Sequence, residues 1–167
     1  MKRRRALELV ALAGLAALLP RARLARAGVP AATEQALAES KLIYVATRRK
    51  NGEPSEAAPI WFHFDGGEIF FTTSPGSWKA RRIAAGSPLY IWVGSEDGPF
   101  VLGEAEPLTD PEAVERMGRA YEQKYWIAWL GLFRPRADRV TAGKTVAYRV
   151  RLLDAAPPAG EGSGAAQ

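Results

Sequence analysis

The stretch that decides the fold runs from Ala58 to Pro88 and reads APIWFHFDGGEIFFTTSPGSWKARRIAAGSP. Residues 59–64 are an aromatic, β-prone run, and residues 68–73 are a second one. Asp65-Gly66-Gly67 between them is a turn signal typical of a hairpin. In the polar break that follows, Ser77 can cap a helix. The stretch therefore predicts strand, tight turn, strand, polar loop and helix within about thirty residues.

The predicted helix carries three cations, Lys79, Arg81 and Arg82, which we place in its first turns. Positive charge there opposes the helix dipole, so these cations need another reason to be present. A bound anion would supply one, because backbone N–H groups, hydroxyls and cations that converge on one spot make a phosphate site. The other interpretation is a polar loop with solvated charges. The hydroxyls that would join the cations belong to Thr72, Thr73 and Ser77.

The rest of the chain predicts more short strands and two further helices. We expect the second strand to run without interruption from Glu56 to Phe64. Short strands with hairpin turns and few helices point to a small antiparallel barrel, a mainly β fold of the α+β class. The other predicted strands are residues 41–47, 89–93, 100–107 and 145–153, and the other predicted helices are residues 33–40 and 110–125.

Composition excludes several classes of function. The chain has 167 residues and no cysteine, so disulfides, thiol nucleophiles and zinc–thiolate sites are excluded. The sequence pI of about 9.7 comes from the N-terminal segment. Residues 28–167 hold 16 Lys and Arg against 17 Asp and Glu, a net charge of −1. We therefore expect no nucleic-acid partner.

The two ends of the chain differ from the domain between them, which we place at residues 28–154. Residues 1–27 combine a charged start, an apolar run and an A-x-A pattern at residues 25–27, as in a secretory signal peptide. Arg4-Arg5 resembles a twin-arginine signal. We therefore expect an exported or periplasmic protein that meets the membrane only through this signal. A misassigned start, which would leave the protein cytoplasmic, and an uncleaved anchor are the alternatives. Residues 155–167 predict a disordered tail.

Several pieces of the sequence form an ordered pattern: Trp61-Phe62, Phe71-Thr72-Thr73, Gly76-Ser77-x-Lys79-Ala80-Arg81, Pro88, Gly103-Glu104-Ala105-Glu106 and Lys124-Tyr125-Trp126. Taken in this order, they resemble the pyridoxamine 5′-phosphate oxidase-like family. The similarity covers roughly residues 37 to 152. It implies an FMN-binding split β-barrel, a flavin-dependent oxidoreductase acting on a small molecule, and a homodimer with the flavin between subunits.

The resemblance also implies a set of cofactor-binding residues. One part matches the strand whose backbone runs beside the flavin ring, and the other matches the loop and helix that hold the flavin phosphate. It implies no catalytic side chain, because the flavin itself carries the chemistry. No cluster of His, Asp and Glu has metal-ligand spacing, so we expect no metal site. The full set is Pro59, Ile60, Trp61, Phe62, Thr72, Thr73, Ser77, Trp78, Lys79, Arg81 and Arg82.

The chain also departs from the family pattern. Ala57 and Gly98 stand where the pyridoxamine-phosphate oxidases proper have Arg and Gln, so that activity itself is not expected. Arg82 takes the place of a frequent Asn and could favour a more anionic cofactor, the deazaflavin F420. His63, the only histidine, could ligate haem as in related haem-degrading barrels, although a hydrogen-bonded or surface role is the commoner one. A flavin or haem carrier without enzyme activity is a further alternative.

Residues 126–133 are the most apolar stretch of the domain, and the sequence does not determine what they pack against. Its sequence WIAWLGLF could form a lid over a substrate, a seam between two copies of the chain, or a helix packed on its own barrel. Burial between subunits would account for the high aromatic content of a small domain.

Overall fold

A computed structural model describes residues 29–131 and 133–153. The predicted export signal and the predicted tail therefore lie outside the described residues. Within them the chain forms seven strands and five helices. In chain order these are α1 Ala31–Glu39, β1 Leu42–Thr47, β2 Ala58–Trp61, β3 His63–Asp65, β4 Glu68–Thr73, α2 Trp78–Ala84, β5 Leu89–Val93, β6 Phe100–Pro107, α3 Pro111–Lys124, α4 Trp126–Trp129, α5 Ala137–Thr141 and β7 Val146–Leu153.

The strands form one antiparallel sheet in the order β2-β1-β5-β6-β7-β4-β3. The two edge strands, β2 and β3, are consecutive in the chain and are separated only by Phe62. Both edges of the sheet thus belong to one continuous stretch, which brings them together and nearly closes the sheet into a barrel. The predicted mainly β barrel with a few helices is confirmed.

The expected single strand from Glu56 to Phe64 is wrong, because this stretch serves two partners. β2 pairs with β1, whereas β3 pairs with β4, and the chain changes partner at Phe62. The buried backbone of Phe62 is satisfied by a side chain instead of the ladder. Its N–H donates to the Tyr125 hydroxyl oxygen at 3.0 Å. The Tyr125 hydroxyl in turn lies 2.9 Å from the Phe62 carbonyl and 2.7 Å from that of Lys41, to one of which it donates.

The sheet separates two hydrophobic clusters. The larger one fills the barrel, with side chains such as Ile43, Phe62 and Phe71 fully buried. Ile83 of α2 also joins it, so this helix packs against the barrel interior. The smaller cluster packs α3 and α4 against the outer face through Val114, Met117, Tyr121, Tyr125 and Ala128.

The pairing of β6 with β7 requires a glycine. A Cβ at Gly103 would lie 2.5 Å from Cγ1 of Val150, so only glycine allows the strand to approach this closely. On the solvent face, Glu104 is opposite Arg151 and Glu106 is opposite Arg149, and both pairs form salt bridges. Cross-strand pairs of opposite charge favour this register.

The helix caps are those that the sequence predicts. The Ser77 hydroxyl accepts a hydrogen bond from the Ala80 N–H at 3.1 Å, and Gly86 follows α2 with a φ of +80°. Asp110 caps α3 by accepting from two N–H groups of its first turn. The helix α5, which follows the cap residue Arg136, was not predicted from the sequence.

Candidate functional site

A cleft of about 830 Å³ opens where β2 and β4 end on the outer face of the barrel. β2 contributes Ile60 and Trp61, and β4 contributes Thr72 and Thr73. These four residues belong to the set implied by the resemblance, and the fold brings them to one cavity from strands that are not neighbours in the sheet. The size lies within the range of about 300–1,000 Å³ usual for small-molecule sites.

The apolar wall of the cleft is centred on Trp61. Its ring stacks on Tyr125, with centroids 4.3 Å apart and planes only 3° from parallel. Phe133 meets it edge-on at 6.0 Å, and the Tyr121 hydroxyl donates to the Trp61 carbonyl at 2.7 Å. Because both the ring and the backbone of Trp61 are held, the wall is fixed before any ligand arrives.

The polar side of the cleft connects to the cap of α2. Thr72, Thr73 and Ser74 line it, and the Thr73 hydroxyl lies 3.3 Å from that of Ser77. Ser77 is therefore joined to the rim although it does not itself line the cavity. A short chain of hydroxyls leads from the cleft to the start of α2.

Lys79 follows Ser77 closely and is partly buried. Burial lowers the pKa of its ammonium to about 8. Within residues 29–131 and 133–153, no carboxylate forms a salt bridge with it and no hydrogen bond engages its amine. A partly buried cation without a partner is costly, so this amine is suited to an anion.

The two arginines of α2 are placed differently from the expectation. We placed Arg81 and Arg82 in the first turns of the helix, but α2 has only seven residues and both lie in its last turn. Cations there complement the helix dipole, so the dipole argument for an anion survives only for Lys79. Both arginines and Trp78 line a second cavity, of about 720 Å³, formed with residues 48–51.

The cleft has basic residues that sequence reasoning missed: Arg134, Arg136, Arg139 and Lys144. Arg134 forms salt bridges with Glu115 at 2.8 Å and Glu122 at 2.9 Å, and Arg136 pairs with Asp138. The cluster R-P-R at residues 134–136, just after the aromatic stretch, was the available signal. The interpretation of residues 126–133 as a lid, a seam between two copies or a packed helix gives these neighbouring cations no role.

The remaining predicted residues line neither cavity, and the same is true of Lys79 and Ser77. Pro59 is exposed and pairs with Tyr44 across the ladder. The Phe62 side chain is buried in the barrel, and its N–H is already engaged by Tyr125. Of the β2 segment, Ile60 and Trp61 are therefore the residues that face the cleft.

His63 begins β3, with its ring 6.0 Å from that of Phe70. Burial lowers the pKa of its imidazole; Asp65 opposes this shift and Lys124 adds to it. Among the described residues no group of three or more His, Cys, Asp or Glu side chains is placed to hold a metal ion.

The aromatic stretch after α3 is largely open to solvent. Trp126 is 77% exposed, Leu130 55% and Phe133 75%. Leu132 and the side chain of Trp129 lie outside what the structure describes. None of the described helices combines the length and the apolar character needed to cross a membrane.

These features define a class of protein. A single antiparallel sheet, nearly closed, with a cleft at the point where one strand divides between two partners, is the split-barrel architecture. A Listeria innocua protein, itself a candidate pyridoxamine 5′-phosphate oxidase, superposes with a TM-score of 0.54 at 14% identity, covering 74% of this chain and 92% of that one. A haem storage protein from Vibrio cholerae superposes with a TM-score of 0.50 at 12% identity, covering 77% and 92%. At these identities the likeness concerns the fold alone.

Sequence comparison identifies the family. The family model for pyridoxamine 5′-phosphate oxidase matches residues 29–154, so the chain belongs to the pyridoxamine 5′-phosphate oxidase-like family. The pyridoxine/pyridoxamine 5′-phosphate oxidase of Photorhabdus laumondii is 27% identical over 127 residues, which are 73% of this chain and 58% of that protein. The Shewanella denitrificans enzyme is 29% identical over 133 residues, 78% of this chain and 61% of that protein. The chain thus spans about three fifths of the length of these relatives.

Proposed function

We propose that this protein binds FMN in the cleft beside Trp61 and acts as a flavin-dependent oxidoreductase on a small molecule. The observation that carries the proposal is that β2 and β4 bring Ile60, Trp61, Thr72 and Thr73 together around one cavity of suitable size. Family membership adds to it, because relatives of the same family are named as pyridoxine/pyridoxamine 5′-phosphate oxidases.

The residues around the cleft suit each part of a flavin mononucleotide. Ile60 and Trp61 offer an apolar surface for a planar ring, and the ring of Trp61 is already fixed by Tyr125. Lys79, which lacks an anionic partner in the described part of the chain, would hold the phosphate, and the hydroxyls of Thr73 and Ser77 would donate to it. When bound, the flavin would supply the capacity for hydride transfer.

The substrate is expected to differ from that of the relatives. Ala57 and Gly98 replace an arginine and a glutamine of the oxidases proper, and the chain spans only part of their length. The cleft also holds Arg134 and Arg136, whose charges are compensated by neighbouring carboxylates. We therefore propose a small substrate other than pyridoxamine 5′-phosphate.

A second copy of the chain is part of the proposal. Phe133 lines the cleft yet is 75% exposed, and Trp126 and Leu130 are exposed beside it. A partner packed on this apolar stretch would cover it and narrow the mouth of the cleft. Sedimentation equilibrium should give twice the chain mass, and Phe133→Glu should shift it to the monomer. A monomeric wild-type protein would contradict this part.

The test of cofactor binding is the absorbance spectrum of the full chain after incubation with FMN and desalting. Retained flavin bands are expected. Lys79→Gln should weaken FMN binding at least about tenfold, because a charge-assisted contact to phosphate is lost. Lys41→Gln, which neutralises an exposed lysine outside the cleft, should leave the affinity unchanged. Equal affinities for the two variants would remove Lys79 from the site.

Two alternatives have their own readouts. Titration with F420 under the same conditions compares the affinity of the protein for F420 with its affinity for FMN. Haem receives less support, because no residue of β3, which His63 begins, lines either cavity. Its signature would be a Soret band that shifts in His63→Ala. Anaerobic reduction of the bound flavin by NADPH, followed by reoxidation with an acceptor, separates an enzyme from a carrier; a carrier shows no turnover.

A further inference from the structure

The second cavity, the basic groove, lies between α2 and the loop that follows β1. Its volume is about 720 Å³, and five basic side chains line it: Arg48, Arg49, Lys50, Arg81 and Arg82. Among the residues that the structure describes, no acidic one lines it. In the described part of the chain none of the five takes part in a salt bridge. The domain as a whole, residues 28–154, holds 16 Lys and Arg against 16 Asp and Glu and is neutral, so this concentration of positive charge is local.

The groove is held in shape by contacts that do not use its charges. The Arg48 N–H donates to the Ser87 hydroxyl at 2.8 Å, and the Ser87 N–H donates to the Arg82 carbonyl at 2.9 Å. Together they tie the loop after β1 to the end of α2. The loop itself is closed by a hydrogen bond of 2.8 Å from the Arg49 N–H to the Glu53 carbonyl. A basic turn alone is ordinarily a solvated surface, whereas here a second pair of cations faces the turn across a fixed cavity.

An aromatic ring completes the groove. Trp78 is 68% exposed, and the guanidinium groups of Arg81 and Arg82 lie 5.3 Å and 5.7 Å from its ring centre. Arg82 is further anchored by donating to the Thr47 hydroxyl at 3.2 Å. A ring flanked by fixed cations offers stacking and charge at the same place.

We propose that the basic groove is a separate binding site for a nucleoside diphosphate or a similar ring-bearing diphosphate. Cations on two elements facing each other suit two linked phosphates better than a single one, because both elements are then engaged. Arginine forks match phosphate oxygens in pairs, and Trp78 provides a surface for the base. A long polyanion is disfavoured, since the domain that surrounds the groove holds as many acidic as basic residues.

The test is calorimetric titration of ADP into the FMN-loaded full chain at low salt, with pyrophosphate and adenosine as partial probes. ADP should bind most tightly, pyrophosphate more weakly and adenosine least. The double variant Arg49→Gln, Lys50→Gln should lose at least about tenfold in ADP affinity, because contacts to charged groups are lost. The matched control Arg116→Gln, Arg119→Gln removes two exposed cations of α3 and should bind ADP as the wild type does. Trp78→Leu should lower ADP affinity to that of pyrophosphate.

Several results would overturn the proposal. Equal losses in the two double variants would indicate diffuse electrostatics, and pyrophosphate binding as tightly as ADP would remove the role of Trp78. Displacement of ADP by FMN or F420 would mean that the groove holds the tail of the cofactor instead of a second ligand. Tighter binding of a single-stranded oligonucleotide than of ADP would favour nucleic acid. ADP binding in a protein that retains no flavin would sustain this inference while the proposed function fails.

Discussion

The two faces of the barrel wall are packed in different ways, and β4 shows the contrast. Ile69 and Phe71 point into the barrel and are fully buried. Phe70 on the opposite face is only partly buried, beneath the helical layer that α3 and α4 form. The interior is bounded by the backbone ladders of the nearly closed sheet. The helical layer is attached by hydroxyl and amine groups that contact the carbonyls of Trp61 and Phe62.

This difference indicates how the cleft is positioned. Since the Trp61 wall rests on Tyr121 and Tyr125, its position depends on α3 and on the residue that follows it more than on the barrel. The interior should therefore determine global stability, and the helical layer should determine the shape of the cleft. The following variants separate these two roles, beginning with the largest expected effect.

Phe71→Ala should destabilise the protein most, lowering the free energy of unfolding by about 3–5 kcal/mol because it leaves a cavity in a sealed core. Chemical denaturation monitored by circular dichroism measures it. Phe70→Ala on the same strand is the matched control, and we expect a clearly smaller loss because Phe70 is only partly buried. Equal losses would mean that the two faces are equally well packed.

Tyr125→Phe should lower the free energy of unfolding by about 1–3 kcal/mol, because the buried N–H of Phe62 then loses its acceptor. Tyr121→Phe removes one donated bond to the Trp61 carbonyl and should cost less, about 0.5–1.5 kcal/mol. FMN affinity should fall in both variants, as Trp61 loses support. If Tyr125→Phe kept wild-type stability, the change of strand partner at Phe62 would not depend on this hydroxyl.

Arg134→Gln should lower the free energy of unfolding by about 1 kcal/mol. It breaks two partly buried salt bridges between the cleft rim and α3. The pKa of the Glu115 carboxyl is held below its usual value first by the hydrogen bond from the Ala137 N–H, and also by Arg134. Arg116→Gln breaks two exposed pairs, with Asp110 and Glu112, and should change stability less. Raising the salt concentration should reduce the difference between the two variants in the free energy of unfolding. A difference that is independent of salt would contradict an ionic origin.

The sequence predicted the strands of the barrel, and it predicted little of how the helices pack on the outer face. The β-prone run of residues 68–73, the Asp-Gly-Gly turn and the Ser77 cap are local signals, and the structure confirms the elements they predict. The break at Phe62 depends on Tyr125, 63 residues away, so no local pattern reveals it. The same holds for Arg134, which forms ion pairs with Glu115 and Glu122 of α3, and for α5, whose Ala137 N–H donates to the Glu115 carboxylate. The sequence also left the length of α2 undetermined. A difference of one or two residues decides in which turn of the helix Arg81 lies.

The smallest expected effect concerns one lysine on each face. Lys79 belongs to α2 and Lys124 belongs to α3. Burial lowers the pKa of both ammonium groups from the usual 10.5 to about 8. Between these values the unfolded chain binds a proton that the folded chain has released, so the free energy of unfolding should rise as pH rises from 8 to 10. Solvent screening limits this rise to less than about 1 kcal/mol for each lysine.

The variants Lys79→Met and Lys124→Met should each flatten part of that rise, as measured by denaturation at a series of pH values. Only one of them should alter the pH dependence of flavin binding. If the Lys79 ammonium holds the phosphate, wild-type affinity for FMN falls above pH 8, where the amine loses its proton. Lys124→Met should keep this fall, because Lys124 donates to the Phe62 carbonyl and lies over the Phe62 ring. Lys79→Met should remove it. The opposite pattern would place the phosphate beside the helical layer and would move the proposed flavin away from α2.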